Sequence, residues 1–322
     1  MKLYTFVLEG IERLGAQNDD GNMVDLLAAS GGDDRFASML SLIRSGEMGL
    51  ELARRLIVNA EAGAVFAMEG LLLAAPIPRP PKLRGYSTFE AHLLQSAEGA
   101  ARRLAERTAD PLAAYEQIRS SMNLDKMPSP GWYKTPGYYL MDTSSVIGTD
   151  REVVWPAYSN WIDYELELVA VIGTPGKDIS AQNAQNHIFG YTMVNDLSAR
   201  DAQLEAMATG MGPAKGKDFD DSNPMGPCIV TADEIPDPYA LMARVRINGE
   251  QWSQTDGRAA QFRFDQCIAY ASMAQTLQPG ELISTGTLPG CSSLELQRTV
   301  NRGDLIELEV DRIGILRVRI RP

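Results

Sequence analysis

The stretch Asp163-Tyr164-Glu165-Leu166-Glu167-Leu168-Val169-Ala170-Val171-Ile172 reads as a strand. Side chains two apart on a strand share a face, so Glu165 and Glu167 project side by side, about 7 Å apart along the backbone. A solvated strand face would account for two glutamates. The residues that follow weigh against it, because Leu168 to Ile172 are apolar on both faces, the pattern of a buried strand. Two carboxylates at the mouth of a buried strand repel one another unless a cation lies between them. They therefore suggest a hard-cation site made of oxygen ligands.

The rest of the chain sets the frame for that strand. Its 322 residues suffice for one large domain and a small one. A net charge of −12 argues against nucleic acid and anionic membrane as partners, and the longest apolar run, around 70–77, is broken by Pro76. The opening ten residues turn polar too early for a secretory leader. Cys228, Cys267 and Cys291 are scattered and odd in number, which fits a reducing cytosol rather than a disulfide framework. With only His92 and His187, a zinc site built on several histidines is excluded.

Residues 1 to about 25 have the turn spacing of a small β meander, followed by helical periodicity over 35–43 and 51–60. The run Pro76-Ile77-Pro78-Arg79-Pro80-Pro81 reads as a semi-rigid linker, so the expected division is a small N-terminal α/β domain over 1–80 and a larger one over 81–322. Phe89 to Thr108 has amphipathic spacing and carries His92 in its first turn. A lone helical histidine is more often structural than catalytic. The aromatic segment 131–139 could line a pocket or simply pack in the core. Downstream, a strand over 188–195 ends at Asp196, well placed to complete an oxygen site. Arg200 and Gln203 then fall on one face of a helical turn. Met211 to Phe219 is rich in Gly and Lys, but its spacing is one residue short of a phosphate loop and Asp218 stands where Ser or Thr is needed. A nucleotide site is rejected, and Lys217 remains as a positive group for an anionic substrate. In the last third, Asn248-Gly249 marks a hairpin, 264–277 has helical spacing, and short strands are expected over 282–287, 294–296, 305–310 and 315–320.

Taken together, Tyr164-Glu165-Leu166-Glu167, Phe189 to Gln203 with its Asn195-Asp196-Leu197-Ser198-Ala199-Arg200-Asp201-Ala202-Gln203 core, Lys215-Gly216-Lys217-Asp218-Phe219 and Pro279 to Thr287 resemble the successive motifs of the fumarylacetoacetate hydrolase family. They do so in order and spacing over about 84–320. The resemblance implies an α+β, β-rich fold, a mixed β-roll or barrel-like catalytic domain behind the small N-terminal domain, usually as a cytoplasmic homodimer. It implies a divalent metal, with Mg²⁺ expected first and Mn²⁺ or Ca²⁺ as alternatives, on Glu165, Glu167 and Asp196. Substrate contacts fall on Arg200, Gln203, Gly286 and Thr287. His92 and Glu295 match the pair that activates water in the members that cleave carbon–carbon bonds, with Lys217 stabilising charge beside them. The partner implied is a small anionic oxo acid, a diketo acid in a setting such as aromatic catabolism, and the reaction hydrolysis of an acylpyruvate-type β-diketone. Isomerisation, decarboxylation or hydration of a 2-oxo or 2-hydroxy-diene acid is the alternative, and a metal-dependent binding protein without turnover stands behind both. The chain departs from the family pattern twice. Gly85 occupies the position where some members add a fourth carboxylate, so three carboxylates plus water are expected. Leu197 stands where many members carry Trp, which alters the pocket.

Overall fold

A computed structural model describes residues 1–321. The N-terminal meander forms as its turns dictate: β1 (Lys2–Leu8), β2 (Ile11–Gln17) and β3 (Met23–Asp25) pair antiparallel in sequence order. Helix α1 (Met39–Asn59) unites the two periodic stretches seen in the sequence. Gly46 breaks it with φ +60°, a conformation that Gly adopts without the Cβ penalty.

The larger part contributes β4 (Leu83–Tyr86), α2 (Glu90–Ala105), β5 (Tyr138–Met141), β6 (Leu166–Ile172), β7 (Ile188–Asn195), α3 (Arg200–Met207) and β8 (Ile229–Thr231). After these come β9 (Ala243–Ile247), β10 (Glu250–Thr255), α4 (Phe264–Ala271), β11 (Leu282–Thr287), β12 (Leu305–Val310) and β13 (Gly314–Ile320). One 11-stranded sheet runs from the short strand Val65–Phe66 through β3, β2, β1, β8, β7, β6, β11 and β4 to β5, with Leu72–Leu73 paired to β1 off that path. The meander thus enters the same sheet as β6 and β7, with Leu3 opposite Ile229 and Lys2 opposite Val230. Most pairings in it are antiparallel, while β4 and β11 run parallel. A second sheet of five strands orders β10, β9, β12, β13 and the short strand Arg151–Val153. Asn248 and Gly249 close its β9–β10 hairpin, both at positive φ (+52° and +81°), as a tight hairpin turn requires.

Strand β6 is buried along its whole length, and its two faces feed two cores. Leu166, Leu168 and Ala170 pack with the second sheet, including Val245, Leu308 and Val318. Val169 and Val171 pack on the opposite face with Met39, Leu42 and Ile43 of α1 and with Leu3 and Leu14 of the meander. Glu165 and Glu167 have the parity of Val169 and Val171, so they stand on this second face, just beyond its apolar layer.

Two expectations fail locally. The helix expected over 264–277 stops at Ala271. Leu294-Glu295-Leu296 forms a turn rather than a strand, because its backbone donors are taken by side chains. Asp163 accepts from the Ser293 and Leu294 amides, and Glu295 accepts from the Gly290 and Ser292 amides. The alternation in that tripeptide therefore comes from a capped turn packed on α2. A Cβ at Gly99 would lie 2.2 Å from the Leu294 carbonyl oxygen, so α2 can approach the turn only through glycine.

Candidate active site

Strand register assembles the acidic group. Glu167 lies opposite Val194 of β7, and the Asp196 amide donates to the Glu165 carbonyl at 2.9 Å. Asp196 has the parity of Val194 and so reaches the face that carries Glu165 and Glu167. One carboxylate oxygen from each of the three falls within 4.8 Å of the others, and the side chains are only 2–4% exposed. This burial overturns the solvated-face alternative.

Two buried cations partner these acids. Lys217 Nζ lies 2.5 Å from Glu165 Oε2 and 2.7 Å from Asp196 Oδ2. Arg200 donates from Nη2 to Glu165 Oε1 at 2.6 Å, from Nε to Asp163 Oδ2 at 2.8 Å and from Nη1 to Gln203 Oε1 at 2.9 Å. Every nitrogen of its guanidinium is thus engaged by protein, and the Gln203 carbonyl faces Arg200. Lys217 is held where it is by close packing: Gly216 lies so near α3 that a Cβ there would meet the Gln203 Cβ at 2.3 Å.

The electrostatics split the acids. Burial works against a charged Glu165, but the positive charges of Arg200 and Lys217 hold it well below the usual carboxylate range. Glu167 is pushed well above that range by burial and by its neighbours Asp196 and Glu165. Burial also raises Asp196, with Lys217 opposing. Fully ionised, Asp163, Glu165, Glu167 and Asp196 would outnumber Arg200 and Lys217 by two charges; burial and this excess are why Glu167 resists ionisation unless a further cation is present. Asp196 Oδ1 is buried without a hydrogen-bond partner. An all-oxygen donor set, a free lone pair and a deficit of two positive charges fit a divalent cation of the Mg²⁺ or Mn²⁺ type.

His92 stands beside this group. Its Nδ1 lies 3.1 Å from Glu295 Oε2, with Ser96 Oγ at 3.3 Å, and its Nε2 lies 3.5 Å from Glu165 Oε1. Burial disfavours a charged ring, yet the Glu295 and Glu165 carboxylates outweigh it and push His92 up to about 10. Glu295 is itself oriented by the Gly290 and Ser292 amides and the Ser292 hydroxyl. Thr287 pairs with Glu167 across β6 and β11, and Gly286 beside it adopts φ +79° with its backbone against Tyr86. A Cβ at Gly286 would sit 2.3 Å from the Tyr86 carbonyl oxygen, so the loop needs glycine for shape before any ligand is considered.

The fold brings all ten sequence-selected residues into one region. Three more belong to it. Asp163 anchors Arg200, Tyr139 Oη donates to Asp196 Oδ2 at 2.6 Å, and the Ser284 hydroxyl donates to Glu167. Asp163 has the same parity as Glu165 and Glu167, a signal present in the quoted stretch. Tyr139 lies in the aromatic segment suspected of lining a pocket. Its ring covers Gly85, where a Cβ would meet Tyr139 Cε1 at 2.8 Å. A phenol thus fills the space above the position at which a fourth carboxylate was considered. Ser284 carries no local sequence signal.

Residues 111–321 match the family pattern described as Fumarylacetoacetate (FAA) hydrolase C-terminal. The chain belongs to the fumarylacetoacetate hydrolase family. It is 29% identical over 307 residues to the mitochondrial oxaloacetate tautomerase fahd2 of Xenopus laevis, covering 94% of this chain and 84% of that one. It is 36% identical over 184 residues to the mitochondrial oxaloacetate tautomerase FAHD2A of Homo sapiens, where the match spans 57% of this chain and only 58% of the relative. Maleylpyruvate hydrolase from Sphingobium sp. SYK-6, solved with manganese and pyruvate, superposes with a TM-score of 0.73 over 100% of this chain and 99% of that one, at 24% identity. That likeness shows the shared fold. Among the described residues, no helix is long and apolar enough to cross a membrane.

Proposed function

We propose that this chain hydrolyses the carbon–carbon bond of a 2,4-dioxo acid of the acylpyruvate type. The observation that carries the reading is the half-buried His92 with Glu295 on Nδ1 and the acidic triad on its Nε2 side. Without an ion the Glu295 and Glu165 carboxylates favour a doubly protonated His92. A divalent cation on Glu165 would oppose that charge, and with the remaining proton on Nδ1 directed at Glu295, Nε2 would be free to accept one from water. Glu165, Glu167 and Asp196 would hold a divalent cation, which would supply Lewis-acid polarisation of the substrate oxygens. His92 takes the water proton, and the hydroxide adds to the acyl carbonyl. The bond between that carbon and the neighbouring methylene then breaks. The methylene carbon leaves as the enolate of pyruvate and recovers the proton from His92, so the products are a carboxylic acid and pyruvate. Lys217 provides positive charge where the tetrahedral oxygen develops. Arg200, through its bonds to Asp163 and Glu165, orients the triad.

A second reading draws on the extended similarity to oxaloacetate tautomerases. Keto–enol exchange moves protons and consumes no water, so it needs a proton carrier at His92 but no water-activating pair. An ultraviolet assay following the enol band of a set of acylpyruvates, with metal and with chelator, separates the two. Hydrolysis yields pyruvate stoichiometrically and fails with chelator. Enol loss without pyruvate favours tautomerisation.

A further inference from the structure

A groove of about 430 Å³ opens beside the acidic triad, sharing Tyr139 and Lys217 with it. Both residues touch Asp196, at 2.6 and 2.7 Å, so a substrate seated at the triad has this groove as a continuation. Its walls are Leu140, Met141, Met211 and Pro213, and its charged lip is formed by Asp142 and Asp218. Leu140 and Met211 are largely exposed, at 62% and 86%, apolar surface that a ligand tail would cover.

The charges at the lip are arranged against an anion. The Ser145 hydroxyl, and after it the Ser144 hydroxyl and amide, hold Asp142 below the usual carboxylate range. Lys215 lies 3.6 Å from Asp218 Oδ2, donates to the Asp218 carbonyl and also favours the ionised form of Asp142, so a single lysine faces two carboxylates and one negative charge remains. Lys217 is turned inward to Glu165 and Asp196. Arg200 is fully engaged in the interior. Among the described residues, no lysine or arginine lines the groove apart from Lys217.

We infer that the substrate is a monocarboxylate whose acyl end is an uncharged apolar chain or ring lying in this groove, and that dioxo acids with a second carboxylate at that end are disfavoured. Thioether and aliphatic walls reward each added methylene, whereas a distal carboxylate would lose water against apolar surface while facing Asp142. The inference rests on the hydrolase reading for the reacting end and concerns the other end alone.

The test measures kcat/KM of the metal-loaded chain for acylpyruvates of increasing unbranched acyl length and for the same series ending in a carboxylate. The expected result is a rise of about fourfold per methylene and a deficit of about tenfold for each terminal acid against its neutral counterpart. Asp218→Asn, which removes a lip charge and frees Lys215, narrows that deficit. Equal or better turnover of the diacids overturns the inference and leaves hydrolysis standing. Calorimetric binding of the same compounds to the metal-loaded His92→Ala chain reads the tail preference without turnover. A failed assay therefore counts against the hydrolase reading, while tighter binding of diacids counts against the groove.

Discussion

Arg200 Nη2 lies 2.7 Å from Asp163 Oδ2, with both side chains at most 5% exposed. The same Asp163 carboxylate accepts from the Ser293 and Leu294 amides. One acid therefore links the cation of the triad to the turn that carries Glu295. Asp163→Ala leaves a buried guanidinium short of a partner and two amides unsatisfied, a class of change that costs about 3–5 kcal/mol. Urea unfolding should show the midpoint falling with little change in slope, and kcat should fall as Glu295 and Glu165 both lose their alignment.

His92→Ala should lower kcat by about 10²–10⁴-fold, the usual contribution of a positioned base. Circular dichroism and the metal-induced rise in melting temperature should be retained. Full turnover in this variant on an acylpyruvate accepted by the parent chain would remove His92 from the chemistry.

Metal binding should be visible without any substrate. A ligand at a hundredfold excess over its Kd stabilises the native state by about 2.7 kcal/mol, so Mn²⁺ or Mg²⁺ should raise the melting temperature by several degrees and chelator should reverse it. Glu167→Ala removes one of the three ligands and should abolish the shift. An unchanged melting curve for the parent chain across both ions would refute the metal assignment.

Gly216→Ala tests how Lys217 is positioned. The added methyl would collide with the Gln203 Cβ and with the Gln203 Cα at 2.4 Å, forcing the 214–216 turn off α3. Overpacking of this kind typically costs about 1–3 kcal/mol. Thermal melting should show the loss, and kcat should drop more than KM rises as Lys217 leaves Glu165 and Asp196.

Much of the site was legible because strand parity is a local property. The period of two places Glu165 and Glu167 together, and a carboxylate after β7 falls beside them once β6 and β7 pair. Asp163 has the same parity but precedes the apolar run, and its partner Arg200 is 37 residues away. The turn at 294–296 escaped for a related reason: the acid that caps it comes from 130 residues upstream. The short helix at 264–271 ends where Ser272 takes up contacts with the 178–179 loop, which no local period encodes. The Pro-rich run suggested a boundary between two parts. The pairing of Leu3 with Ile229 shows how closely the meander is joined to the strands that carry the acidic triad, and only the folded chain reveals it.

That pairing bears on how the protein can be divided. The family-defining segment begins at residue 111, so a fragment cut there would lack the imidazole at position 92 and the first strand together. It would leave β8 paired only to β7, with the edge that β1 covers exposed, an open margin of the kind that recruits other chains into aggregates. The segment by which relatives are recognised is therefore unsuited to stand alone, and the leading residues serve as its protective selvedge.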